Sequence, residues 1–431
     1  MFAKIRSVLT LSRSRRRKYL LPDATLSARR LGCGVCGARV DVPRVRQGQE
    51  ACCPRCGANL VRVEREPYVL PIVYALTALA VLLVVSFGFF MGMTMPGVAV
   101  HLTLPGMMAA LVRHEYGFLA NVMFVFVFAT PLLFLLLVLY VYAALLRREA
   151  RPWLLQAARW MFRLRVWLMV DIFAVSALVA LVKIRALAQV EYGVSFYAMF
   201  VYSLLLARVV LAVPPHWVYE QIARLLPEMR LSQAGGATVA CRHCHFEQPQ
   251  EGVRCTVCGA RLSFRRAHSL RLAWAFLLTA MILYVPANTL PMMITENPMV
   301  TFTSKIVDGV FTLWQGGDHL VAVIIFIASV AIPLLKIIGM MVVLIAVRFR
   351  LPFSARTLTR LYHTVEMVGR WSMIDVFVTI MLMATFATPL ARVLPGVAVI
   401  YFTLVVILTM LSAYFFDVRL LWDKQREDDS S

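Results

Sequence analysis

Eight apolar stretches divide the 431-residue chain, over about 70–94, 119–146, 166–186, 195–214, 270–290, 319–347, 371–389 and 396–416. Each approaches or exceeds the ~20 residues that a helix rising 1.5 Å per residue needs to cross ~30 Å of hydrocarbon. Shorter patterns separate the first span from the second in each half. There "VAVHLTL" (98–104) alternates like a strand before "PGMMAALVRH", and "MVTFT" (299–303) precedes "SKIVDGVFTLW". A small strand and helix outside the membrane is predicted in each half, with the first spans ending at the prolines of "TMP" (94–96) and "PANTLP" (286–291).

The pattern is written twice. "TPLLF" (130–134) lies against "IPLLK" (332–336), and "RVWLMVDIFAV" (165–175) lies against "GRWSMIDVFVT" (369–379), which aligns Trp167 with Trp371, Asp171 with Asp375 and Phe173 with Phe377. Four spans per unit give both units the same orientation, a parallel repeat about an axis along the membrane normal. The expected fold class is an all-α polytopic membrane protein of two parallel four-helix modules. Its expected divisions are a basic tail (1–29), a first cysteine ribbon (30–65), module 1 (66–220), a linker (221–237), a second ribbon (238–265), module 2 (266–422) and a polar tail (423–431).

Composition agrees, with 61% hydrophobic residues. A net charge of +21 would suggest nucleic acid in a soluble chain, but 37 of the 44 Lys and Arg fall in alternate inter-span segments and the tails, against five on the other side. Basic residues are retained on the cytoplasmic side, so both termini are expected there. The first 30 residues, rich in Arg and Ser, read as a tail beside anionic headgroups, with an organellar presequence as the alternative.

All nine cysteines fall in two of those cytoplasmic segments. Cys33 and Cys36 precede Cys53 and Cys56; Cys241 and Cys244 precede Cys255 and Cys258. Paired CxxC knuckles present four thiolates tetrahedrally to Zn²⁺, with Gly37, Gly57 and Gly259 suited to the turn. One closed, structural zinc site per ribbon is expected; an iron centre or a thiol switch are the alternatives. "CRHCH" (241–245) also matches a haem attachment motif, which the expected cytoplasmic location disfavours. Zinc ribbons of basic character also occur in nucleic-acid binders, but a ribbon tethered at the bilayer more simply meets headgroups or its partner ribbon, so no nucleic acid is expected.

Charges inside spans are costly and face bundle interiors or wet cavities. Lys336 lies mid-span. Asp171 and Asp375 are expected about 8 to 9 Å inside the third spans, with Glu366 at the inner mouth of one and Lys183 near the outer end of the other. Lys336 aligns with Phe134 and Lys183 with Ala387, so each half keeps its acid but a different lysine. Asp171, Lys183, Lys336, Asp375 and Glu366 are the candidate transport network, weighed against purely structural ion pairing. No nucleotide loop, HExxH or GxSxG motif is present, so the chain is not expected to be an enzyme.

"CRHCHF" (241–246), "RRAHSL" (265–270), "PANTLP" (286–291), "GRWSMIDVFV" (369–378) and "YFFDVRLLWD" (414–423), with the duplicated ribbon-plus-four-span plan, resemble the paraquat-inducible protein A family. The resemblance implies an inner-membrane protein of Gram-negative bacteria that moves phospholipids between membranes with a periplasmic MCE-domain partner, each module resembling eukaryotic tetraspan receptor-auxiliary proteins. On this analogy, Asp171, Lys183, Lys336 and Asp375 line a polar cavity reached from the periplasmic side and gate or energise lipid loading. A passive anchor for the MCE partner, or a stress-responsive thiol protein, is the alternative.

Overall fold

The computed structural model describes Leu26 and residues 29–95, 98–113, 116–185, 189–226, 238–241, 244, 246–249, 254–262, 265–266, 268–296, 301–317, 319–349, 351–385 and 392–423. In hydrocarbon, backbone N–H and C=O groups have no water to bind, so the apolar runs close their hydrogen bonds internally as helices. The first half contains α1 (Leu70–Phe87), α2 (Leu104–Arg113), α3 (Gly117–Met123), α4 (Thr130–Arg147), α5 (Leu154–Leu164), α6 (Val170–Arg185), α7 (Val194–Ala212) and α8 (Pro215–Leu225). The second contains α9 (Ser269–Thr289), α10 (Ile306–Gln315), α11 (His319–Phe326), α12 (Ile332–Arg348), α13 (Ala355–Trp371), α14 (Met373–Thr385) and α15 (Ala398–Phe415). Among the described residues, eight helical segments, four per half, are long and apolar enough to cross a membrane.

The second span of each half widens into a π-turn, Phe124–Ala129 and Ile327–Ala331, just before Pro131 and Pro333. A proline lacks the N–H for its own helical bond and crowds the carbonyl four residues back; the wider turn relieves both. The third span departs from expectation. It is two helices, broken between α5 and α6 by a 3₁₀ turn (Arg165–Trp167) and between α13 and α14 at Ser372. Asp171 and Asp375 therefore occupy the first turns of α6 and α14, not the interior of one continuous span. The lower helices α5 and α13 carry Arg on one face, which hid them from an apolar count.

Strands form at both ends. In the first half, hairpins β1 (Arg29–Gly32) with β2 (Arg39–Val42) and β3 (Glu50–Cys52) with β4 (Asn59–Arg62) make the cysteine ribbon. At the opposite end β5 (Met91–Met95) pairs antiparallel with both β6 (Val98–Leu102) and β7 (Gln189–Tyr192). The second half repeats this with β8 (Thr238–Ala240) and β9 (Glu247–Pro249) in the ribbon, then β10 (Met293–Glu296) between β11 (Thr301–Ser304) and β12 (Arg392–Pro395). The strands β6 and β11 and the helices α2 and α10 match expectation; β7 and β12 are additions from between the third and fourth spans.

In module 1, α1 packs on α4 and α7; in module 2, α9 packs on α12 and α15. The modules meet through α6 and α14, where Phe173 and Phe377 stand edge to face with ring centres 5.4 Å apart. Aligned residues that touch one another place the internal two-fold axis between them. At the ribbon end of module 2, Ser269 Oγ donates to the Phe415 carbonyl at 2.9 Å, and the Arg266 guanidinium lies over Phe415. Burial would raise the Asp417 carboxyl, but Arg419, bonded through Nε at 3.0 Å and Nη2 at 2.9 Å, outweighs burial and holds it below the usual carboxylate range.

Each ribbon also reaches across to the other module. The first ribbon's Arg55 sits 5.3 Å from the Trp422 ring centre and its carbonyl accepts from Arg356 Nη2 of α13 at 3.3 Å. Arg159 Nε of α5 donates to the carbonyl of Cys258 in the second ribbon at 2.7 Å. The ribbons touch through Leu31 and Phe246, with Arg39 3.6 Å from Glu247. Arg159→Ala removes a charge-assisted bond worth about 1.5 to 3 kcal/mol. It should speed amide exchange across 255–261 by about tenfold or more; unchanged protection there would count against this bracing.

Candidate functional site

Two kinds of site are built into this frame. In the ribbons, three knuckles bend back so that Cys33, Cys53 and Cys255 receive N–H bonds from Gly37, Gly57 and Gly259 at their carbonyls, at 2.9, 2.8 and 2.7 Å. Those glycines adopt φ of +69, +74 and +62°, the left-handed region where a side chain is disfavoured. The bend brings the sulfurs together: Cys33 to Cys56 3.6 Å, Cys36 to Cys53 3.7 Å, Cys241 to Cys258 and Cys244 to Cys255 3.5 Å each. Four sulfurs at ~2.3 Å from a central ion have edges of about 3.8 Å, so both clusters fit a tetrahedral metal. The Cys36 thiol and backbone hold Cys33 down to about 5, while their shared proton and burial push Cys36 up. Cys52 is exposed, and the cluster is complete without it.

The second site is a cavity of about 620 Å³ between the modules. Module 1 lines it with Arg165, Asp171 and the last turns of α7, and module 2 with Lys336, Glu366 and Arg370. Thr409 to Tyr414 of α15 complete the wall, which places the cavity toward the ribbon end of the bundle rather than the sheet end. The cavity was expected to open from the face that carries the sheets, whereas its lining lies nearer the ribbons. The breaks in the third spans explain the difference, because they turn Asp171 and Arg370 into the gap between modules.

Lys336 on α12 is 3% exposed. Its Nζ donates to the Gly369 carbonyl at 3.3 Å, and no ion pair forms to it among the described residues. The lysine stem lies directly on Gly369, where a Cβ would come within 3.3 Å of Cε. Neither aspartate supplies the expected partner. Asp171 is exposed and lines the cavity, whereas Asp375 is buried, does not line it, and leaves Oδ2 without a hydrogen bond. Glu366 Oε2 pairs with His363 Nδ1 at 3.3 Å. Lys183 belongs to the far end of α6, and its side chain lies outside the described residues.

Arg370 joins the modules: Nη2 donates to Leu168 O, in the break before α6, at 2.9 Å, while Nε is buried with no partner among the described residues. Arg165 Nη1 reaches Val213 O at 3.4 Å. Arg370 Nε, Ser372 Oγ and Asp375 Oδ2 thus form a run of buried, unsatisfied polar atoms at the break in module 2. Such atoms cost stability and concentrate where function requires them. Arg370, Gly369 and His363 were not singled out from sequence. Arg370 reads there as an ordinary interfacial anchor, and a glycine seated under a lysine 33 residues away leaves no local signature.

The family model for paraquat-inducible protein A matches residues 70–223 and 270–426. The chain is 35% identical to "Intermembrane transport protein PqiA" of Escherichia coli strain K12, over 94% of this chain and 98% of that one. It is 30% identical to "Lipophilic envelope-spanning tunnel protein A" of the same organism, over 91% and 90%. A "Probable intermembrane transport protein" of Haemophilus influenzae is 27% identical, over 91% and 95%. Identity over the whole chain is higher to PqiA than to the tunnel protein. No solved structure matches. With both modules matched by one family and close to the full length shared with its members, the chain belongs to the paraquat-inducible protein A family.

Proposed function

We propose that the protein is the integral inner-membrane component of an intermembrane phospholipid transport system, taking up or releasing lipid at the cavity between its modules and exchanging it with a periplasmic MCE-domain partner. The relatives' printed names supply the transport class. The observation that carries the reading to this chain is the cavity itself, a polar floor containing buried Lys336 between two membrane modules. The charge asymmetry of the sequence supports placing both ribbons and both termini in the cytoplasm of a Gram-negative cell. On the division read from the sequence, ribbons at 30–65 and 238–265 each hold a structural Zn²⁺, and modules at 66–220 and 266–422 move lipid. Asp171, Lys336 and Glu366 at the cavity, with Asp375 and Lys183 along the α6 and α14 axis, form the network through which an ion gradient drives loading.

Lys336→Met separates transport from scaffolding. It keeps the stem's volume and removes a buried charge without an ion-pair partner, a change that leaves stability equal or higher. In vesicles reconstituted with the MCE partner, the variant should transfer lipid about tenfold more slowly, a loss equal to one charged hydrogen bond, and still bind the partner. Wild-type transfer by Lys336→Met would overturn the cavity reading and leave the passive anchor.

A further inference from the structure

We infer that the cavity floor is a headgroup site for a singly anionic phosphodiester, so that the protein selects lipids of phosphatidylglycerol type over zwitterionic ones. This deepens the transport reading and rests on it.

Three cations line the cavity, Arg165, Lys336 and Arg370, against two acids, Asp171 and Glu366. Their depths differ. Both acids are exposed, and Glu366 is already engaged by His363. Lys336 is buried, and Arg165 and Arg370 are half-buried. A charge exposed to water is screened, whereas a charge in the interior acts at low dielectric. The floor is therefore positive, and the negative charge lies at the water-screened mouth.

The cations also have donors to spare. Lys336 spends one of three donors, on a carbonyl at 3.3 Å. Among the described residues, Arg370 has a buried Nε with no acceptor, and Arg165 makes one long bond, to Val213 O. These groups converge from both modules on one space, and a phosphate ester offers the several acceptor oxygens they lack. One negative charge also brings the set of three cations and two acids to neutrality. A zwitterionic head would leave one positive charge uncompensated.

The rim fits an amphiphile rather than a free ion. Val166, Leu211, Met367 and Trp371 are exposed apolar side chains at the edges of the polar floor, 39%, 50%, 60% and 50% accessible. Acyl chains would pass over them into the bilayer while the phosphate sits inside.

The test is native mass spectrometry of the full-length protein in nanodiscs of equal phosphatidylglycerol and phosphatidylethanolamine, with inorganic phosphate as competitor. Retained lipid should be enriched in phosphatidylglycerol by about tenfold, one charged hydrogen bond's worth. Lys336→Met should lose the enrichment, and millimolar phosphate should not displace the lipid. Retained lipid matching the bulk ratio in the wild type overturns the inference, and if transfer still proceeds the transport reading survives it. Displacement of lipid by phosphate would make this a free-anion site and overturn it as well. Absence of both retained lipid and transfer would remove the inference together with its parent reading.

Discussion

Gly396→Ala is expected to abolish recovery of folded, monodisperse protein, and Gly193→Ala to do the same. Both glycines stand where a fourth span begins and passes against the backbone that ends a first span. Gly396 N–H donates to Met292 O at 2.8 Å and Ala398 N–H to Pro291 O at 3.3 Å; Gly193 and Ser195 bond Phe90 O and Phe89 O at 3.1 Å each. A Cβ at Gly396 would fall inside the Pro291 carbonyl, and one at Gly193 inside that of Phe89. Neither glycine has positive φ, so space, not conformational freedom, demands the residue. Overpacking costs about 1 to 3 kcal/mol where side chains can give way. The Phe89 and Pro291 carbonyls, held by Ser195 N–H and Ala398 N–H just before β5 and β10, cannot, and the cost should be about 3 kcal/mol or more. A thermal midpoint in detergent equal to wild type for either variant would show that the crossing is looser than described.

These glycines mark the limit of the sequence pattern. Spans, knuckles and the repeat were legible because each is local: a run of apolar residues, a CxxC, a motif matched to its copy. The crossing of Gly396 over Pro291 spans more than a hundred residues and leaves only an unremarked glycine in "LPGVAV". β7 and β12 were unread for the same reason, since "QVEY" and "RVLP" are strands only because β5 and β10 offer free edges. The site divides along the same line. Lys336 and the two aspartates stood out as charges in apolar runs, yet the Arg370 bond to Leu168, 202 residues away, decides how the modules meet. The alignment sets the two aspartates at matching positions with different lysines in each half, and their surroundings differ: Asp171 faces the cavity while Asp375 is buried.

Cys255→Ser should lower bound metal from two equivalents per chain to one, with Zn²⁺ as the ion by elemental analysis, and Cys53→Ser should do the same from the other ribbon. Structural zinc contributes about 10 to 16 kcal/mol in isolated fingers, more than a short ribbon's own core supplies. Losing one thiolate from a closed tetrahedral site therefore unfolds the ribbon instead of loosening it. Because Arg159 of module 1 holds the carbonyl of Cys258, the variant should also expose α5 to amide exchange, an effect that crosses from one module's ribbon to the other module. Acidification should release metal from the wild type, since the ligands bind as thiolates and take up protons when the ion leaves. Two equivalents of metal retained by Cys255→Ser, or iron in place of zinc, would refute this assignment.

The central claim is that lipid occupies the space between the modules, and a photo-crosslinking residue placed at Leu206 tests it most directly. Leu206 is buried on the cavity wall, whereas Leu204 on the same helix is 69% exposed and faces outward. In native membranes, crosslinking from position 206 should capture phospholipid, and Lys336→Met should reduce that adduct by about tenfold through loss of its charged hydrogen bond. Adducts from position 204 should not change. Equal capture at 206 with and without the lysine, or none in either, would contradict the account.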